Sequence, residues 1–236
     1  MIVSLIVFFV VLILSIPSAL VVIPLTMITR DPTSLYNVAC AIVRVAFRSA
    51  GIRLQVNGRE NFPAGEACIF MANHVSNLDP PALLSNLPSR TAVFIKHSLM
   101  NIPVLGYAFK LGEFIPVARS GNAASAQESV AAASRLIKKG VHITTFVEGT
   151  RSRDGRLLPF KKGPFYLAFE TGAPCIPVSI YGTEKLMAKG SFAIKRGTAH
   201  IVFHPAVHPR DFATREELLR AVREAIASGL PEWMRA

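Results

Sequence analysis

Acidic residues are scarce in this sequence, and charge of either sign is missing altogether from its first 29 positions. Only 15 Asp and Glu face 26 Lys and Arg, and the resulting formal charge of +11 favours anionic partners: phosphate groups, acidic lipid leaflets, acidic carrier proteins or nucleic acid. Charge alone does not choose among them. Cysteine is sparse as well. Cys40, Cys68 and Cys175 are odd in number, far apart and form no CxxC pair, so the pattern indicates neither a disulfide framework nor a zinc site, and a reducing cytoplasmic setting fits. There is no internal repeat and no low-complexity linker, and 236 residues suffice for one sizeable α/β domain with a small appendage. What the chain has in excess is apolar surface. Hydrophobic residues make up 51%, charged residues 17%, and the mean hydropathy is +0.39, more apolar than an ordinary soluble domain.

The uncharged run from Met1 to Thr29 exceeds the roughly 20 apolar residues needed to cross a bilayer. No basic residue precedes its apolar core, and that core outruns the about 7 to 15 residues of a signal peptide, so a retained anchor is expected rather than a cleaved leader. Pro17 and Pro24 are expected to interrupt the helix, which leaves a kinked or tilted span and a re-entrant hairpin both open. The next stretch, Ser34 to Leu54, keeps helical periodicity and sets Arg44, Arg48 and Arg53 among Leu, Val, Ile and Phe. Such a basic amphipathic helix either lies along lipid headgroups or packs on the body with its arginines solvated. The basic flank places the body on the cytoplasmic side of the inner membrane, with residues 1–50 as a helical membrane-binding element and 51–236 as the body.

Beyond residue 52, β-rich runs alternate with helix-like stretches. The strands are expected at Ala67 to Met71, Thr91 to Ile95, His142 to Val147, Cys175 to Tyr181 and Ala199 to Val207. Helices are expected at Pro80 to Leu87, Ile102 to Lys110, Ala123 to Lys139, Pro164 to Glu170 and Thr214 to Ala227, the last opened by a capping box from Thr214 to Glu217. The alternation predicts an α/β fold, a mixed, largely parallel sheet covered by helices.

Two loops carry the chemistry. The first follows the strand ending at Met71 and reads Ala72-Asn73-His74-Val75-Ser76-Asn77-Leu78-Asp79-Pro80. With Pro80 favouring a helix start, a tight turn brings the Asp79 carboxylate back onto the His74 imidazole, and a His-Asp dyad is the arrangement that general-base catalysis requires. The same spacing also fits a capping turn in which Asn77 or Asp79 serves the helix and His74 is incidental. The second loop, Phe146-Val147-Glu148-Gly149-Thr150-Arg151, again follows a strand; from Arg151 to Lys162 there are five cations and one carboxylate. A glycine turn admits a phosphate to backbone amides, and Arg grips its oxygens in a fork, so an anion is the natural guest. Arg153 and Arg156 read as solvated loop residues, and Arg119 follows a short strand as either a phosphate ligand or a surface residue.

Taken together, Asn73-His74-x4-Asp79, Gly112-x-Phe114-Ile115-x3-Arg119, Phe146-x-Glu148-Gly149-Thr150-Arg151 and Ile176-Pro177-Val178 resemble, in order and separation, the motifs of the glycerolipid acyltransferases over roughly residues 50 to 210. Val147 stands where that family usually has Pro, and Ala118 where it commonly has a small or polar residue. The resemblance implies transfer of an acyl group from acyl-CoA or acyl carrier protein to lysophosphatidic acid, with His74 as base and Asp79 orienting it. It implies acceptor-binding motifs at Arg119, Glu148, Gly149, Thr150 and Arg151, with Arg119 and Arg151 neutralising the phosphate and Glu148 orienting neighbours or a hydroxyl, a role for Pro177 in donor binding or in shaping the site, and neither cofactor nor metal. Asn73 is expected to be a structural hydrogen-bonder. The alternatives are another acceptor, such as glycerol 3-phosphate or a lyso-ornithine or other aminolipid, a hydrolase, or a non-catalytic module on an anionic membrane surface. Nucleic acid is not expected as a partner, since no DNA- or RNA-binding motif accompanies the charge. His200, His204 and His208 recur every four residues, but prolines forbid a helix there and strand spacing sets them about 13 Å apart, too far for one ion. His97 and His142 are expected to be core or edge residues.

Overall fold

The computed structural model of the protein describes residues 1–88, 90–117 and 123–235. Its first element is a single helix, α1 (Ile2–Thr29), unbroken at Pro17 and Pro24, where the sequence predicts an interruption. Each proline removes one backbone hydrogen bond, and the regular turns on either side carry the helix through. Val3 and Val7 near one end and Val22 and Thr26 near the other pack inward, while the opposite face is apolar and exposed. The body holds α1 near both ends: the Ile194 amide donates to Ser4 Oγ (2.9 Å) and Tyr107 Oη donates to Met27 Sδ (3.4 Å).

The amphipathic helix α2 (Thr33–Ser49) ends short of the predicted Leu54. Gly51, at a φ of 68° that glycine adopts without steric cost, turns the chain into β1 (Ile52–Asn57). Arg53 therefore lies on a strand, not on the helix. Arg44 is not a solvated arginine either: its Nε and Nη2 donate to the Ser85 carbonyl (3.2 and 2.7 Å), and Tyr36 Oη donates to the Leu84 carbonyl (2.8 Å), tying α2 to the body.

The remaining elements are β2 (Ile69–Ala72), α3 (Asp79–Leu84), β3 (Thr91–Lys96), α4 (Leu105–Leu111), β4 (Ile115–Val117), α5 (Ala123–Lys138), β5 (His142–Phe146), α6 (Gly163–Thr171), β6 (Cys175–Tyr181), α7 (Thr183–Leu186), β7 (Gly197–Phe203) and α8 (Arg215–Ser228). α4 starts later than predicted because a 3-10 turn over His97–Asn101 and then Pro103 precede it. β7 ends at Phe203, not Val207, because Pro205 cannot continue the ladder. Thr214 caps α8 as predicted, its Oγ1 accepting from the Glu217 amide and its own amide donating to Glu217 Oε2, both at 3.2 Å.

Among the described residues seven strands form one sheet in the order β1-β7-β6-β2-β5-β3-β4, parallel at every pairing except β6 with β7. β2 is its centre. Ile69 and Met71 face the layer of α5, α6 and α8, while Phe70 and Ala72 face the layer of α2 and α3; all four are fully buried, the continuous apolar run expected of a strand covered on both sides. The chain runs outward from β2 to β3 and the edge strand β4, comes back to β5 and crosses over β2 to β6. Parallel register sets Ala72 beside both Phe146 and Val178, so the segments following β2, β5 and β6 leave the sheet along one edge. Ligand sites of open α/β sheets lie at such a switch point.

Candidate active site

His74 and Asp79 do meet. Asp79 is the first residue of α3 and wholly buried; its Oδ2 accepts from His74 Nδ1 (2.8 Å) and from the amides of Val75 and Ser76 (2.7 Å each). Its Oδ1 accepts from the Thr183 hydroxyl, so the carboxylate has four donors. Because an ionised carboxylate only accepts, His74 Nδ1 carries the proton and Nε2 presents its lone pair. Phe146 stacks on the imidazole, with centroids 4.2 Å apart and planes 26° apart, fixing the ring's tilt. The side chain of His74 keeps 16% exposure, enough to meet a substrate. The helix-capping alternative is not what forms: α3 has Leu78 at its N-cap with no side-chain cap bond, and the Asp79 carboxylate instead closes the turn before the helix and holds the imidazole.

Asn73 works one step earlier. Its amide donates to the Ile180 carbonyl (2.8 Å) and accepts from the Ile180 amide (2.7 Å), imitating a strand residue and pinning the end of β2 to β6. Asn73→Ala leaves both backbone groups buried and unpaired; we expect a loss of about 1–3 kcal/mol in stability, read as a lower unfolding midpoint in denaturant.

The loop after β5 interlocks with the His74 loop. Val147 N donates to the Ala72 carbonyl (3.0 Å), Ser152 N donates to the His74 carbonyl (2.8 Å), and His74 N donates to Glu148 Oε1 (3.2 Å). Val147, where the family pattern has Pro, supplies a ladder bond that Pro lacks. Gly149 sits at a φ of 68°, and a Cβ there would come within 3.1 Å of Lys161 Cγ. Glu148 is 1% exposed, and burial pushes its carboxyl up to about 8, the His74 and Leu158 amides offsetting this only in part. A carboxyl raised this way favours the folded state below its ordinary value of 4.5 and loses that contribution as pH climbs through about 8. Stability is therefore expected to fall between those limits, and Glu148→Gln to flatten that slope in denaturation measured across pH.

Gly149 and Thr150 are exposed at the edge, and Arg151 is half-buried. The Arg151 carbonyl accepts from Lys189 Nζ, while its Nη1 is shielded from water and has no partner among the described residues, an unfilled donor beside the dyad loop. Arg119 lies outside the described residues. Pro177 is buried inside β6 opposite Met71, where the segment following β7 carries one more residue than β6 between the pairs Val178 with Phe203 and Cys175 with Val207, and such a bulge tolerates a residue without an amide hydrogen. Sequence reasoning missed Thr183 and Phe146 as partners of the dyad. Thr183 lies two residues beyond the end of β6, the strand parallel to β2, and that position was the available signal.

Among the described residues no three His, Cys, Asp or Glu side chains converge as metal ligands. His200 stacks on Tyr181 at 4.4 Å, His204 Nε2 lies 2.7 Å from Ser179 Oγ, and the buried His142 accepts from the Cys68 amide at 3.1 Å.

A sheet with a His-Asp pair at its switch point and a cationic loop beside it matches one class of protein. The family model described as Acyltransferase matches residues 53–181, and the chain belongs to the acyltransferase family. Its relatives include the 1-acyl-sn-glycerol-3-phosphate acyltransferase of Borreliella burgdorferi, 30% identical over 80% of this chain and 76% of that one. The chloroplastic enzyme of the same name, BAT2, from Brassica napus is 36% identical over 66% of this chain and 45% of its own length, so the chain spans about half of that relative. The crystal structure of the 1-acyl-sn-glycerophosphate acyltransferase PlsC of Thermotoga maritima superposes with a TM-score of 0.85 at 28% identity, covering 97% of this chain and 93% of that one, and shares the mixed sheet and flanking helices.

Proposed function

We propose that the protein transfers a fatty acyl group from an acyl thioester, acyl-CoA or acyl carrier protein, to the free hydroxyl of 1-acyl-glycerol 3-phosphate, giving phosphatidic acid. The observation that carries this reading is the His74 to Asp79 contact at 2.8 Å beside an unpaired Arg151 Nη1. His74 Nε2 takes the proton of the acceptor hydroxyl as its oxygen attacks the thioester carbonyl carbon. The resulting imidazolium is stabilised by Asp79 and returns the proton to the departing thiolate, so no acyl-enzyme forms. Arg151, with Arg119, neutralises the acceptor phosphate, and Gly149 and Thr150 border it. Pro177 shapes the sheet beneath. Glu148, buried and bonded to the His74 amide, acts on the acceptor only through the position of His74. The names of the relatives support the acceptor, and Arg151 Nη1 supports a phosphate over a lyso-aminolipid.

α1, held by the body near both ends, anchors residues 1–50 along one leaflet of the inner membrane, with residues 51–236 as the catalytic body on the cytoplasmic side. Among the described residues it is the one helix long and apolar enough to cross a membrane.

The test of the acceptor is kinetic. Arg151→Ala removes a charged contact to phosphate and is expected to raise the KM for lysophosphatidic acid by about 10-fold or more with the thioester KM unchanged. A variant with both constants unchanged removes the phosphate assignment.

A further inference from the structure

Apart from α1, large apolar side chains are exposed mainly where α1 meets the body. At its C-terminal end, where Tyr107 reaches Met27, Ile102, Val104, Leu105 and Tyr107 are 42–62% exposed within six residues of chain. At its N-terminal end the Ile194 amide bonds Ser4, and Phe192, two residues away, is 83% exposed. A soluble surface scatters such residues singly; here both groups sit beside the ends of the exposed, apolar α1. Exposed cations border them, Arg30 and Lys110 at one end and Lys195 and Arg196 at the other.

We propose that the shoulder from Ile102 to Tyr107 and the loop tip at Phe192 are two further membrane contacts, inserting into the same leaflet as α1 and seating the catalytic body on an anionic bilayer. The occupant is set by continuity and charge. A face that extends a lipid-binding helix at both of its ends and is rimmed by lysine and arginine fits acyl chains below and anionic headgroups around them. An acidic protein would satisfy the rim but not Phe192 or Val104. Three contacts fix a plane, so the body is held at one tilt rather than swinging about α1. The proposal rests on α1 being bilayer-bound, and its test reads immersion rather than turnover.

The native cysteines are all buried, so a single introduced cysteine can be labelled with an environment-sensitive fluorophore. Val104→Cys and Phe192→Cys are compared with Leu12→Cys on the outer face of α1 and with Glu224→Cys on α8, which packs on the other face of the sheet. Full-length protein is added to phosphatidylcholine vesicles containing a quarter phosphatidylglycerol, with and without brominated acyl chains. The labels at 12, 104 and 192 are expected to shift to the blue and to be quenched at a depth of about 5–10 Å, that at 224 to remain in water. Lys110→Ala and Lys195→Ala are each expected to lower the partition coefficient about fivefold. Immersion at 12 with water at 104 and 192 overturns the proposal while leaving the anchor intact. Water at all three overturns the anchor and the proposal together. A shift at 104 or 192 that needs only higher protein concentration, without vesicles, assigns the face to a second copy instead.

Discussion

His74→Ala is expected to lower the rate of acyl transfer by about 10²–10⁴-fold, the usual contribution of a positioned base, with the fold intact. The imidazole is partly exposed, its partners are the Asp79 carboxylate and the Phe146 ring, and the turn is held without it by the bonds of Val75 and Ser76 to Asp79. Under the proposed mechanism, removing the ring thus removes the proton acceptor and little else. The measurement is the initial rate of product formation set beside a circular dichroism melt. A normal melt with lost turnover is the expected pair, and turnover within about tenfold of the parent assigns the base elsewhere.

Asp79→Ala is expected to harm both quantities. The carboxylate is wholly buried and accepts from His74, Val75, Ser76 and Thr183, so its removal strands four donors away from water. A buried group cut from its partners costs about 3–5 kcal/mol, which lowers the midpoint of unfolding by many degrees in addition to disabling the base. Asp79→Asn separates the effects. An amide keeps an acceptor for part of the cluster but does not stabilise the imidazolium and invites the wrong tautomer, so stability recovers more than turnover does. Equal recovery of both makes Asp79 a structural residue only.

The strands from β2 onward and the contact of His74 with Asp79 were legible in the sequence because each rests on a local rule. A buried run such as Ile69–Ala72 reads as a strand, and five residues with a proline at the next position fold a carboxylate back on a histidine. The limits of elements were less legible where a single backbone feature decides. Gly51 ends the amphipathic segment early and moves Arg53 to a strand, and the turn before Pro103 delays α4. Long-range partners were the least legible. Thr183 reaches Asp79 across 104 positions, and Arg44 finds the Ser85 carbonyl across 41. Only the sheet order brings these together. Glu148, expected to orient neighbours or a hydroxyl, is 1% exposed and accepts from the His74 amide, a partner 74 positions away that only the sheet order brings to it.

The most direct measurement supplies detergent-purified protein with a labelled acyl group on CoA and, separately, on acyl carrier protein, together with lysophosphatidic acid. Labelled phosphatidic acid from at least one donor, absent with His74→Ala and absent without the acceptor, is the predicted result. Release of free fatty acid at the same rate without acceptor, or no transfer from either donor by a folded protein, contradicts it.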